Sequence, residues 1–216
     1  MINLYKLNQL FPDVNIKFKN ESLFMKILGK ILFFNPDFMT KFTTTIGNTI
    51  YFPSKNYLDT HYYSVLVILC HELVHVKDYK KFSILFPFLY LFPISLIPFL
   101  CILFFFLNWY IVLGLIVLCL LPLPAPGRTY FEAKAYTMSL FVHNEISIQK
   151  GIPFQGRLTA LKNIANTYNK QFTGPNYYFS WPFGLSNYFL LKIKQILSKE
   201  IEQKDKIYTE ILNLLK

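Results

Sequence analysis

The chain has 216 residues, one domain's worth by length, with 53% hydrophobic, 19% aromatic and only 16% charged residues. An ordinary globular chain carries about a quarter charged residues, and a composition this apolar excludes intrinsic disorder. The 22 Lys and Arg outnumber the 12 Asp and Glu for a net charge of +10. That surplus is divided as +4 over residues 1–81 and +6 over residues 128–216, without a basic patch interleaved with aromatics, so nucleic acid is not an expected partner.

The first nineteen residues hold no continuous apolar core, which predicts no secretory signal there. Asn20 is a fitting N-cap for a helix over residues 21–34, stopped by Asn35-Pro36. In KFTTTIGNTIYFP, Thr and Ile flank Gly47-Asn48, a two-residue turn signal, so this stretch predicts a β-hairpin ending at Pro53. A helix is expected from Asp59 or Thr60 through HYYSVLVILCHELVHVKDYK.

From residue 82 to residue 127 the chain has no Asp, Glu, Lys, Arg or His for 46 residues. One membrane span needs about 20 apolar residues, so this run predicts a hydrophobic hairpin of two spans with a turn at Asn108-Trp109. Pro87, Pro93 and Pro98 crowd its first half and leave a re-entrant form open. Lys77, Lys80 and Lys81 precede the run, and Arg128 and Lys134 follow it. An even number of crossings with basic flanks predicts an integral membrane protein with its polar parts on the cytoplasmic side. The expected organisation is therefore residues 1–81, a membrane hairpin over 82–127, and a helical part over 128–216 that completes the domain of the first. Further helices are expected from Arg128 to Gly151, over 156–170, 184–198 and 200–215, with FTGPNYYFSWPFG as a rigid aromatic loop. Cys70, Cys101 and Cys119 are odd in number and fit no disulfide framework or cysteine-type metal site, which predicts buried, inert thiols.

The sharpest motif is His71-Glu72-Leu73-Val74-His75. On a helix, His71 and His75 share one face a turn apart and can bind one zinc ion, with Glu72 beside them as a base for a water on the metal. A catalytic zinc site ordinarily takes a third protein ligand. His61 lies ten residues earlier on the same helix, about 15 Å along the axis, and cannot reach. His143 reads best as a satisfied core or surface histidine, and Glu132, on the helix after the apolar run beside Ala133 and Ala135, is the stronger choice.

HELVH followed by a helix with Glu-x-x-Ala resembles the gluzincin branch of the zincin metallopeptidases. The resemblance covers about residues 40–150 and implies an α+β, mostly helical zincin-like core with a small β-hairpin or edge sheet. It implies zinc held by His71, His75 and Glu132, with Glu72 as the general base in hydrolysis of a peptide bond. TTTIGNTIYFP resembles the family's edge strand, which lines up an extended substrate. Apolar spans between HExxH and the Glu-bearing helix are similar to the layout of the membrane-embedded HtpX and CAAX-prenyl-protease group. That group has Asp where this chain has Tyr136, and spans before HExxH that this chain lacks. Tyr136, Tyr177 and Tyr178 are candidates for a second oxyanion or substrate contact.

The expected function is thus a membrane-anchored zinc metallopeptidase. Its substrates would be proteins or peptides near the membrane surface, with membrane lipid as a second partner and the oligomeric state left open. The alternatives are a peptidase-like zinc membrane protein without proteolytic activity and a small non-enzymatic membrane protein. With two short links to the apolar run, the metal would lie within about 10 Å of the bilayer surface.

Overall fold

The computed structural model describes residues 4–33, 35–60, 62–103, 105–121, 123–174 and 181–216. Two long helices form its axis: α4 (Tyr62–Phe82) and α8 (Pro126–Gln149). They pack along one another, and both bury residues on most of their faces: Leu69, Cys70, Leu73 and Val74 on α4, and Ala135, Met138, Leu140 and Phe141 on α8. Ala133 and Ala135 of α8 are both buried.

A small sheet covers one side of α4. Strands β1 (Asn15–Phe18), β2 (Thr44–Ile46) and β3 (Thr49–Phe52) lie in the order β1-β3-β2. The β2–β3 hairpin follows the turn signal, with Gly47 at φ 63°, in the left-handed region that suits glycine. Strand β1 pairs in parallel with β3, from Asn15 opposite Thr49 to Phe18 opposite Phe52. The pattern of β1 is too short and too polar to announce a strand, and the pairing forms because β3 offers it a buried edge. Strand β2 lies at the sheet's other edge.

The remaining helices are α1 (Leu4–Leu10), α2 (Leu23–Ile31), α3 (Lys55–Thr60), α9 (Phe154–Thr173), α10 (Ser186–Leu197), α11 (Glu200–Lys204) and α12 (Lys206–Leu215). Helices α9, α10 and α12 wrap α8. Helix α2 starts at Ser22, whose hydroxyl accepts from the Met25 amide, rather than at Asn20. The helix expected over 200–215 is broken at Asp205, which caps α12 by accepting from the Ile207 amide. Gly151 ends α8 as expected, at φ 70°.

The apolar run departs from expectation. It folds as α5 (Leu85–Tyr90), a 3-10 turn at Ile94–Leu96, α6 (Ile97–Leu103) and α7 (Trp109–Leu120). Among the described residues no helix is long and apolar enough to cross a membrane, so the transmembrane hairpin and the integral membrane placement are corrected. Counting uncharged residues measured the length of the run but not the continuity of its helices. Pro87, Pro93 and Pro98 divide the first half into short pieces. The 12 residues of α7 rise about 18 Å, against about 30 Å of bilayer hydrocarbon. The expected distance of the metal from a bilayer surface falls with the hairpin. Asn108 does begin α7 as its N-cap, accepting from the Tyr110 amide. Of the three cysteines, Cys70 and Cys119 are buried while Cys101 is exposed, against the expectation of three buried thiols.

Candidate metal centre

The central turn of α4 carries the motif. Residues Val65 to Val76 are apolar or buried almost without interruption, which fixes the helix between the sheet and α8. His71 and His75 therefore project on the face turned to α8, with ring centroids 5.0 Å apart. Glu132 comes from the second turn of α8 and is only 2% exposed. It meets both rings: Oε2 is 3.3 Å from His71 Nε2, and Oε1 is 3.4 Å from His75 Nε2. The ligand atoms of these three residues all lie within 4.8 Å of one another, and the group could hold a metal ion.

The donor set fits that role. Both imidazoles turn Nε2 inward and keep Nδ1 outward. The outer Nδ1 of His71 lies 3.3 Å from the Ser139 hydroxyl on α8. The outer Nδ1 of His75 is buried without a hydrogen-bond partner. Burial opposes charge on Glu132, but the His75 and His71 imidazoles beside it hold its carboxyl well below the usual range. Burial would also lower His75, and the Glu132 carboxylate overrides this and raises it. A carboxylate ionised at neutral pH between two imidazole nitrogens is an arrangement that a divalent cation satisfies.

Glu72 is buried on α4, and its Oε2 accepts a hydrogen bond of 2.7 Å from the Thr45 hydroxyl on the edge strand β2. The hairpin thus holds the candidate base. Glu72 is also close enough to act electrostatically on His75 and Tyr90.

Helix α5 covers the cluster from the other side. The Tyr90 hydroxyl donates to Glu132 Oε1 at 2.5 Å, and its ring lies edge-on to His75 at 6.0 Å. Phe86 packs against His75, Tyr90 and Phe131. Burial, then the Glu132 carboxylate, pushes the Tyr90 phenol well above its ordinary value, so it stays a hydrogen-bond donor. Arg128, which the sequence suggested as a membrane-flanking cation, is buried and donates from Nε to the Tyr90 carbonyl at 3.1 Å. Gly127 permits this seat for α5, because a Cβ there would stand 2.4 Å from the Leu89 carbonyl oxygen.

The structure thus brings together His71, His75 and Glu132, with Glu72 beside them. Tyr136 packs its ring against His71 at 4.8 Å and against Tyr168 at 4.3 Å, an aromatic wall of the site. Tyr177 and Tyr178 lie outside the described residues, as does His61. His143 stands away from the cluster and lines a cavity of about 280 Å³ with Tyr63, Ser64 and Lys150. Three residues escaped the sequence reading: Thr45, Tyr90 and Ser139. Tyr90 offered a signal, as a phenol in an otherwise almost wholly apolar stretch, but nothing in its spacing pointed to Glu132, 42 residues on. No protein-family model matches the chain, and no curated protein or solved structure matches it.

Proposed function

We propose that this protein is a zinc metallopeptidase, with His71, His75 and Glu132 as the metal ligands and Glu72 as the general base. The observation that carries the reading is the convergence of three ligand atoms within 4.8 Å next to a buried glutamate held by an edge strand. Two imidazole nitrogens and one carboxylate oxygen are the donor set of a hydrolytic zinc site. Zinc, when bound, supplies Lewis acidity to a water and to a substrate carbonyl.

The chain's own residues supply the rest. Glu72 accepts the proton of the attacking water and returns it to the leaving amine. Thr45 donates to one Glu72 oxygen, which leaves the other to take that proton. Strand β2 is a sheet edge, so an extended peptide added beside it would pass Thr45 and Glu72. That edge favours a polypeptide over a small amide as substrate.

A second reading has its own observation. The ligand cluster is enclosed, with Glu132 capped by Tyr90, which suits a metal site that binds without turning over. One experiment separates the two. The purified full chain is assayed for zinc by elemental mass spectrometry and for cleavage of an unfolded casein, alongside Glu72→Gln. One zinc per chain in both proteins, with cleavage reduced about 10²- to 10⁴-fold in the variant, is expected of the peptidase. Zinc without cleavage by either protein overturns the peptidase in favour of the second reading. Absence of zinc from the folded protein, even after incubation with the metal, overturns both.

A further inference from the structure

Among the described residues, four buried side-chain polar atoms lack a hydrogen-bond partner: Thr43 Oγ1, His75 Nδ1, Asp78 Oδ2 and Arg157 Nε. Two of them stand three residues apart on α4. Positions i and i+3 of a helix are neighbours on one face, with Cβ atoms about 5–6 Å apart. One of the two is an imidazole nitrogen that can carry a proton, and the other is a carboxylate oxygen that can accept it. Both atoms are buried, and in the structure neither bonds the other or any other group.

Asp78 is fully buried, and its Oδ2 has no hydrogen-bond partner. An unpaired buried acceptor costs about 1–3 kcal/mol, so its retention calls for an explanation. Its other oxygen, Oδ1, is tethered at 2.5 Å by the Lys134 ammonium. Lys134 lies on α8, two residues after Glu132. The same two helices that bring the ligands together therefore also carry and anchor Asp78, with Oδ2 left over.

We propose that Asp78 is a positioning residue for the metal centre, accepting the Nδ1 proton of His75 so that Nε2 is left unprotonated for the ion. The inference rests on the metal-centre reading and not on catalysis. The two ligand histidines then have different outer partners. His71 lies beside the neutral Ser139 hydroxyl, while the unpaired Nδ1 of His75 has the unpaired Asp78 carboxylate oxygen three residues along the same helix. An outer carboxylate fixes the imidazole tautomer and makes Nε2 a stronger donor. It also supplies negative charge beside the cation, which a hydroxyl does not. Removing such a partner costs about 10- to 100-fold in metal affinity.

The test compares wild type with Asp78→Asn and Asp78→Ala, each checked for native helicity. Zinc affinity is measured by competition with a chromogenic chelator. Affinity weakened about 10- to 100-fold in Asp78→Ala, and less in Asp78→Asn, is expected, because the Asn carbonyl still accepts the Nδ1 proton. The second readout is 15N NMR of the zinc-loaded full chain labelled at histidine. His75 should carry its proton on Nδ1, and its resonance should move in Asp78→Asn while that of His71 stays. A purely structural role for Asp78 would lower the melting temperature and leave zinc affinity within threefold, which overturns the proposal. If neither variant folds, a His75 in the wild type with no proton on Nδ1 overturns it. If the wild type binds no zinc, the metal-centre reading falls first. Normal zinc binding in wild type and both variants removes the role of Asp78 alone.

Discussion

The helix pair α4/α8 and the segment from α5 to α7 treat their side chains in opposite ways. In α4 and α8, polar and charged groups such as Glu72, His75, Asp78, Arg128 and Glu132 are buried. Each has a charge or hydrogen-bond partner from a neighbouring element. In the apolar segment, Phe105 is 83% exposed, and Ile102, Phe106, Tyr110, Leu113 and Leu120 also face outward. On α7 only Val112 and Cys119 are buried. At these positions hydropathy runs against burial, although α4 and α8 also bury an apolar core. A residue's own preference for water is a tendency of about 1–3 kcal/mol, and it yields where the chain must bring distant groups together or where a short helix has too few neighbours. The base of the segment, α5, joins the two regions through Phe86 and Tyr90 on the His71, His75 and Glu132 cluster.

That contrast can be broken by substitution. Phe141 is 1% exposed on α8 and packs edge-on against Tyr208 of α12 at 5.1 Å. Phe141→Ala is expected to cost about 3–5 kcal/mol in urea unfolding. A loss below about 1 kcal/mol would mean that the α8 face is not the tight core described.

Asp205 tests the seam where α12 docks. It caps that helix and receives the Lys77 ammonium at 2.6 Å. Asp205→Ala is expected to cost about 1 kcal/mol. Burial would raise its carboxyl, but the hydrogen bonds from Lys77 and the Ile207 amide outweigh it and hold the carboxyl below its ordinary value. A lowered carboxylate stabilises the fold above its unfolded value, about 3.9. That contribution disappears as pH falls through the lower folded value. The wild type and Asp205→Ala should therefore differ at pH 7, and the gap should begin to close below about pH 4 and vanish only once pH has passed the lower folded value. A gap independent of pH would assign the loss to packing.

The smallest effect is expected in the apolar segment. Leu113 is 51% exposed on α7, and Leu113→Asp should change unfolding stability by no more than about 0.5 kcal/mol. A loss above about 1 kcal/mol at high protein concentration that vanishes on dilution would mean that another copy of the chain covers this face. That outcome would remove the contrast between the two regions.

Much of the candidate site was legible in the sequence because its period is local. HELVH needs only a helix to bring two imidazoles to one face, and VLVILC before it identifies a buried helix. Glu132 could be weighed as a third ligand because so few residues of the right type remained. Thr45, Tyr90, Ser139 and Asp78 could not be weighed in the same way. Thr45, Tyr90 and Ser139 act through contacts between elements 27 to 68 positions apart, and Asp78 became notable only once its burial and its idle oxygen were seen. The apolar run misleads for the converse reason, since it is uniformly uncharged while it folds into helices of 6, 7 and 12 residues.

By itself the sequence determined the helix that carries His71 and His75, the β2–β3 turn at Gly47 and the types of candidate ligand available, because helical period and turn chemistry are set within a few residues. The tertiary structure decided the rest. It paired β1 with β3, brought α8 against α4 so that Glu132 meets both imidazoles, and seated α5 on the cluster through Arg128 and Gly127. These choices depend on which buried faces fit together across the chain, and no window of sequence contains both sides of such a contact.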